Sequence, residues 1–157
     1  MRLQEYIVRA TQKALDDVER AALATPDDRR AWSPGGQSRS VLGQMQELAR
    51  AATWLLPIIE HGQVPNFDNH ARREAEEALA FDTVEECIQA ARESTSELCR
   101  AILETPDEDL EEEIKLPFGG GMILTLAEVI DLHRWNLIYH LGQINQIQLI
   151  IGDGEMH

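Results

Sequence analysis

An all-α fold, a bundle of four helices, is what this sequence predicts, and three observations predict it. Apolar residues recur at three- and four-residue intervals through four long segments. Two of these segments open on the same pattern, Thr83 with Glu86 and Thr125 with Glu128, in which hydroxyl and carboxylate cap the first turn reciprocally. No stretch of useful length alternates apolar and polar residues at the period of a strand.

The first helix runs from about Leu3 to Leu23, with Leu3, Ile7, Ala10, Ala14, Val18 and Ala21 on one stripe. The second begins near Ser38 or Ser40, either a good N-cap, and carries Val41, Met45, Leu48, Ala52, Leu55 and Ile59. Pro57 should bend its last turns or end it. The third starts at Thr83 and buries Val84, Ile88, Ala91, Thr95, Leu98 and Ile102. The fourth starts at Thr125 and runs to Ile151 before Gly152–Asp153–Gly154 stops it.

The loops carry an echo. "ATPDDRRAWSPGG" follows the first helix and "ETPDEDLEEEIKLPFGGG" the third; each leads from Thr-Pro-Asp to an apolar anchor (Trp32, Phe118), a proline and a glycine run. Two helix–loop–helix halves related by a pseudo-two-fold are expected, joined by a crossover over residues 61–83 with room for a short extra helix. Residues 1–157 are expected to form one domain.

The composition narrows the function classes. Hydrophobic residues make up 43% and charged residues 27%, ordinary for a soluble domain. The net charge of −14, with no Lys/Arg stripe to offset it, repels a phosphate backbone, so nucleic acid is not an expected partner. No uncharged apolar run is long enough to span a membrane. The charged N-terminus lacks the apolar core of a signal peptide, which points to a cytoplasmic protein. Cys87 and Cys99 lie twelve residues apart on one helix, roughly 18 Å at 1.5 Å rise per residue, too far for a disulfide. Both read as reduced packing residues.

Within the fourth helix, "HRWNLIYHLGQINQIQ" places polar, metal-capable side chains where leucines are expected. Positions 126, 130, 133, 137, 140, 144, 147 and 151 form one stripe, so His133 and His140 are core positions one heptad apart, flanked by Asn136 and Gln143. Each such group buried without a partner costs on the order of 1–3 kcal/mol. Three explanations fit: a hydrogen-bonded core network, a metal site, or a cleft whose polar groups orient a ligand. On the flank of the second helix's stripe sit Gln44 and Glu47, the latter a carboxylate able to close a site with the histidines, or a border residue reaching to solvent. The opposite face of the fourth helix, Trp135, Ile138, Tyr139, Gly142 and Leu149, is apolar too, and suggests a homodimer.

"HRWNLIYHLGQINQIQLIIGD", together with "WSPGGQSRSVLGQMQELA", resembles the DinB-like superfamily of four-helix bundles, in the branch with a Trp-Asn-Leu…Tyr-His…Gly-Gln-Ile-Asn signature. The resemblance extends over nearly the whole chain in helix order and is specific in the fourth helix. It implies an up-down-down-up bundle, commonly dimeric, with a divalent metal in a cleft near the helix ends. Many members hold the metal with three histidines, one from helix two and two from helix four. The last of these falls on His140, the others on Asn136 and on or near Glu47, a departure from the pattern at two of three places. His133, one turn before Asn136, is then the substitute ligand or general base, and Asn136, Gln143 and Gln44 the ligand-orienting groups. By this resemblance the ion is zinc or nickel, and the reaction a transfer or isomerisation of a small molecule that uses a low-molecular-weight thiol such as bacillithiol or mycothiol. The competing expectation is a non-catalytic dimeric binding or interaction module whose His/Asn/Gln cluster is a structural network.

Overall fold

A computed structural model describes residues 1–66, 80–117 and 120–157. Its four long helices are α1 (Leu3–Ala24), α2 (Val41–His61), α3 (Val84–Glu104) and α5 (Leu132–Ile150), with a one-turn helix α4 (Leu126–Val129) before the last. The fold is the expected all-α, four-helix bundle.

Cross-helix hydrogen bonds fix its topology. The Gln148 side chain donates to the Ala21 carbonyl, so α1 and α5 end at the same level and run parallel. Gln4 donates to the Thr105 carbonyl, which sets α1 antiparallel to α3. Gln46 reaches the Phe81 carbonyl and Ser94 the Ala49 carbonyl, so α2 and α3 run parallel. Gln44, near the start of α2, meets Gln143, late in α5. The order is therefore up-down-down-up, with α5 lying between α1 and α2, and α3 on the far side.

The capping boxes at Thr83 and Thr125 form as expected: each threonine oxygen accepts the amide of the glutamate three residues on, and that glutamate accepts the threonine amide. The loop echo is structural. Thr25 and Thr105 each donate a side-chain hydroxyl to the carbonyl four residues back, at 3.2 and 3.1 Å. Each is followed by a proline and a single 3-10 turn, Asp27–Arg29 and Asp107–Asp109. Phe118, one of the two anticipated anchors, and the extra helix suggested within 61–83, most of which is 67–79, lie outside the described residues.

Three local expectations are corrected. The second glycine-rich loop holds a small antiparallel hairpin, β1 (Glu113–Lys115) with β2 (Ile123–Thr125), too short to show an alternating pattern. Pro57 does not end α2. Its missing N–H removes a single bond, the one to the carbonyl four residues back, and the helix runs on to His61. Gly62 closes it at φ +62°, with its amide on the Ile58 carbonyl and that of Gln63 on the Pro57 carbonyl. The fourth helix is interrupted at Ile130–Asp131, where the Asp131 amide bonds three residues back, to Glu128, and the Asp131 carboxylate takes both arms of Arg134.

The core is two apolar clusters stacked along the bundle. One gathers Leu15, Val18, Met45, Leu48, Leu137 and Ile144, the other Ile7, Leu55, Ile58, Leu98, Ile102 and Ile130. Thr11, Thr95 and His133 are fully buried, and each falls on its helix between members of the two clusters. Cys87 and Cys99 are free and buried, as anticipated. No helix among the described residues is long and apolar enough to cross a membrane.

Candidate functional site

Where the first turns of α2 face the second half of α5, polar side chains form one chain of contacts. Val41, Met45 and Leu48 bury the inner face of α2, which leaves Gln44 and Glu47 at its border toward α5. On α5, Leu137 and Ile144 fix the orientation that turns His140 toward them, leaving its side chain only 1% exposed. Gln143 accepts a hydrogen bond from the Gln44 amide nitrogen at 2.7 Å. That bond turns the Gln44 carbonyl oxygen to the imidazole, where it accepts from His140 Nδ1–H.

The tautomer follows. With the proton on Nδ1, His140 Nε2 carries a lone pair, and it stands 3.0 Å from Glu47 Oε1. Burial drives the His140 pKa down to about 4, and the Arg39 guanidinium pushes it the same way. The other Glu47 oxygen, Oε2, is paired with the Arg39 guanidinium. The imidazole nitrogen and the carboxylate oxygen are thus two potential donor atoms side by side where α2 meets α5.

The side chains singled out in the sequence do not all meet. Gln44, Glu47, His140 and Gln143 do. Asn136 is half buried one turn before His140 and makes no hydrogen bond among the described residues. His133 is elsewhere: its Nε2 lies 2.8 Å from the Thr95 hydroxyl of α3, and its Nδ1 has no partner among the described residues. Desolvation in this layer takes the His133 pKa down to about 4. Among the described residues no group of three His, Cys, Asp or Glu side chains gathers. His140 and Glu47 form a two-donor notch. Arg39 was not anticipated. Its signal was available only in the spacing, since Arg39 precedes the N-cap Ser40 and side-chain-free Gly43 stands midway between it and Glu47.

The outer face of α5 is exposed. Trp135 and Tyr139 stack at 5.4 Å between ring centroids with 16° between planes, and Tyr139 meets the His140 ring edge-on. Ile138 and Leu149 continue the patch, and Gly142 is exposed within it.

Helix order and topology together define the class: the chain has the DinB-like four-helix-bundle fold. Particular solved structures share it. YfiT from Bacillus subtilis, described as a probable metal-dependent hydrolase with an unusual four-helix bundle topology, superposes with a TM-score of 0.79 at 12% identity, covering 95% of this chain and 87% of that one. The DinB-like protein YjoA, also from Bacillus subtilis, superposes at 0.67 with 17% identity over 97% of this chain and 95% of that one. A mycothiol-dependent maleylpyruvate isomerase superposes at 0.68 with 12% identity, covering 92% of this chain and 61% of the isomerase. No protein-family model matches the sequence, and no curated protein sequence matches it.

Proposed function

We propose that the notch between His140 and Glu47 takes a divalent cation and that this protein is a metal-dependent enzyme acting on a small molecule. The observation that carries the reading is the 3.0 Å approach of His140 Nε2 to the Glu47 carboxylate, with Nδ1 committed to the Gln44 oxygen. The residues fit such an ion. Imidazole nitrogen and carboxylate oxygen suit zinc or nickel, and Gln44 holds the far ring nitrogen as a metal-bound histidine is ordinarily held. Asn136, one turn from His140, can add a weak amide-oxygen donor, and the remaining positions are left to water or substrate. His133, occupied with Thr95, is not among the ligands in this reading.

Held by His140 and Glu47, such an ion would supply the lowered pKa of a bound water or thiol that a nucleophile at neutral pH requires. The chain's own thiols are poor candidates for that role: burial pushes Cys87 up to about 12 and Cys99 to about 11. A thiol-using reaction would therefore take its sulfur from a low-molecular-weight cofactor. The structural neighbours support this range of chemistry, one being a probable metal-dependent hydrolase and another a mycothiol-dependent isomerase. Gln44 and Gln143 fix the ring, and Glu47 and Arg39 set the charge at the notch.

The test is zinc and nickel content of untagged protein, with His140→Ala and Glu47→Ala beside it. About one ion per chain, lost in both variants, is expected. Wild-type protein that takes up neither metal after incubation would sink the proposal. It would leave the Gln143–Gln44–His140–Glu47–Arg39 chain as a register-fixing network, the reading favoured by the partner each of these groups has.

The outer face of α5 is proposed to pair with a second copy of this chain. Residues 132–150 carry one charged side chain, Arg134, in a chain of net charge −14, so the patch offers two like-charged molecules a place to meet without repulsion.

A further inference from the structure

α1 and α3 are clasped at two levels and stand apart between them. Near one end the Gln4 amide reaches the Thr105 carbonyl at 3.0 Å and the Asp107 carboxylate at 2.8 Å. Toward the other, Glu19 Oε2 accepts from Arg92 Nε at 3.0 Å and from the adjacent Nη2. Between these ties lies a hollow of about 440 Å³. Its origin is in the sequence of α3, which lines it with the short side chains of Thr95, Ser96 and Cys99, too small to fill the space opposite Gln12, Leu15 and Asp16 of α1.

The two walls differ in polarity. α3 supplies donors. Arg92, one turn before Thr95 and Ser96, spends Nε and Nη2 on Glu19 and keeps Nη1 unpaired among the described residues. The Thr95 hydroxyl meets His133 Nε2, while His133 Nδ1 has no described partner. An orphaned N–H costs more than an orphaned lone pair, which puts the ring hydrogen on Nε2, donating to Thr95. The hydrogen of Thr95 itself is then left for an acceptor in the hollow, and Ser96 adds a second hydroxyl. α1 supplies acceptors. The Asp16 side chain is 62% exposed, and its ion pair with Arg92 spans 3.6 Å, longer than a hydrogen bond. The Gln12 amide oxygen stands one turn before it. Leu15 and Cys99, both buried, form an apolar floor between the walls.

We propose that this hollow is a binding site for a free amino acid with an aliphatic side chain. The carboxylate takes Arg92 Nη1 and the Thr95 and Ser96 hydroxyls, the ammonium takes Asp16 and the Gln12 oxygen, and the side chain lies over Leu15 and Cys99. A zwitterion matches both walls at once and adds no net charge to a chain already at −14. A simple carboxylate would meet Asp16 unpaired, and a simple amine would leave the donors of α3 unused. The site needs no ion and shares no side chain with the His140–Glu47 pair.

Isotope-labelled protein titrated with L-leucine, followed by its amide chemical shifts, tests the site. Saturable shifts centred on residues 12–16 and 92–99 are expected at millimolar ligand or below. Leucinamide, which lacks the carboxylate, and isocaproate, which lacks the ammonium, should each bind about tenfold or more weakly, the loss of one charge-assisted contact. D16N alters an exposed side chain; it should weaken leucine binding and remove its advantage over isocaproate. R92Q should remove the advantage over leucinamide, but it also strands the buried Glu19 carboxylate, so D16N decides where R92Q fails to fold. No saturable shift at millimolar leucine would overturn the site, as would shifts centred elsewhere or equal binding of the three molecules. An advantage over isocaproate that survives D16N would overturn it too. None of these outcomes touches the metal reading, whose readout is bound zinc or nickel.

Discussion

The imidazole of His133 and the hydroxyl of Thr95 hold one another at 2.8 Å across the layer where the two apolar clusters of the core meet. The pair ties α5 to α3, which are diagonal to one another in the bundle. Thr95→Val should therefore cost about 1–3 kcal/mol, because it strands a ring whose other nitrogen already has no described partner. Replacing both, as Thr95→Val with His133→Leu, should recover part of that loss. Urea unfolding of the single and double variants measures both, and equal destabilisation by each would contradict the account.

The same histidine should make stability depend on pH. The unfolded ring takes a proton below about 6.5, the folded one only below about 4 because it is desolvated. Between these values unfolding takes up a proton, so the folded state should lose stability as pH falls from about 6.5 toward 4. The expected loss is on the order of a few kcal/mol, and the contribution should be flat above that window. His140, lowered in the same direction, contributes over the same window, so His133→Leu should reduce the slope in urea-unfolding series without abolishing it.

Asn136 sits one turn before His140, so Asn136→His would place a second imidazole on the same helix edge at a spacing that suits a shared ion. Zinc affinity should rise by about tenfold or more, since a nitrogen donor replaces a weak amide oxygen. Chelator competition reads the change. An unchanged affinity would show that the notch does not open toward that turn.

Trp135 is 60% exposed and Ile138 46% exposed, both on the charge-poor face of α5. Trp135→Glu or Ile138→Asp would put like charges opposite one another in a symmetric pair. Light scattering coupled to gel filtration should show a dimer for wild type and a monomer for these variants, with the helical signal unchanged. A wild-type monomer at tens of micromolar would refute the pairing.

Much of the fold was legible because its determinants are local. The capping threonines at 83 and 125, the apolar stripes and the stop at Gly152 each act within a turn of the residues they govern. The hairpin was not, since each strand has only three residues. The break at Ile130–Asp131 was hidden because Ile130 still falls on the core stripe, while the interruption is made by the turn's own hydrogen bonds. At the site, periodicity placed Gln44 and Glu47 on the edge of α2 and His140 in the core of α5, and the structure sets them against each other. Periodicity could not distinguish the two histidines, which share a stripe. Which one meets α2 and which meets α3 depends on helix packing order, a tertiary fact. Arg39 escaped notice because it lies before the helix it runs along.

The packing order also governs how the chain is assembled. α5 occupies the place between α1 and α2, and His140 finds Glu47 at a separation of 93 positions in sequence. Adjacent helices in such a bundle are mostly remote along the chain, so the entropy of closing large loops must be met before much of the core can reward it. Folding should be slower than in a bundle of the same length built from successive hairpins. During synthesis, a chain halted before α5 has no means of covering the inner faces of α1 and α2 together, and the notch at His140 comes into being only with the final helix.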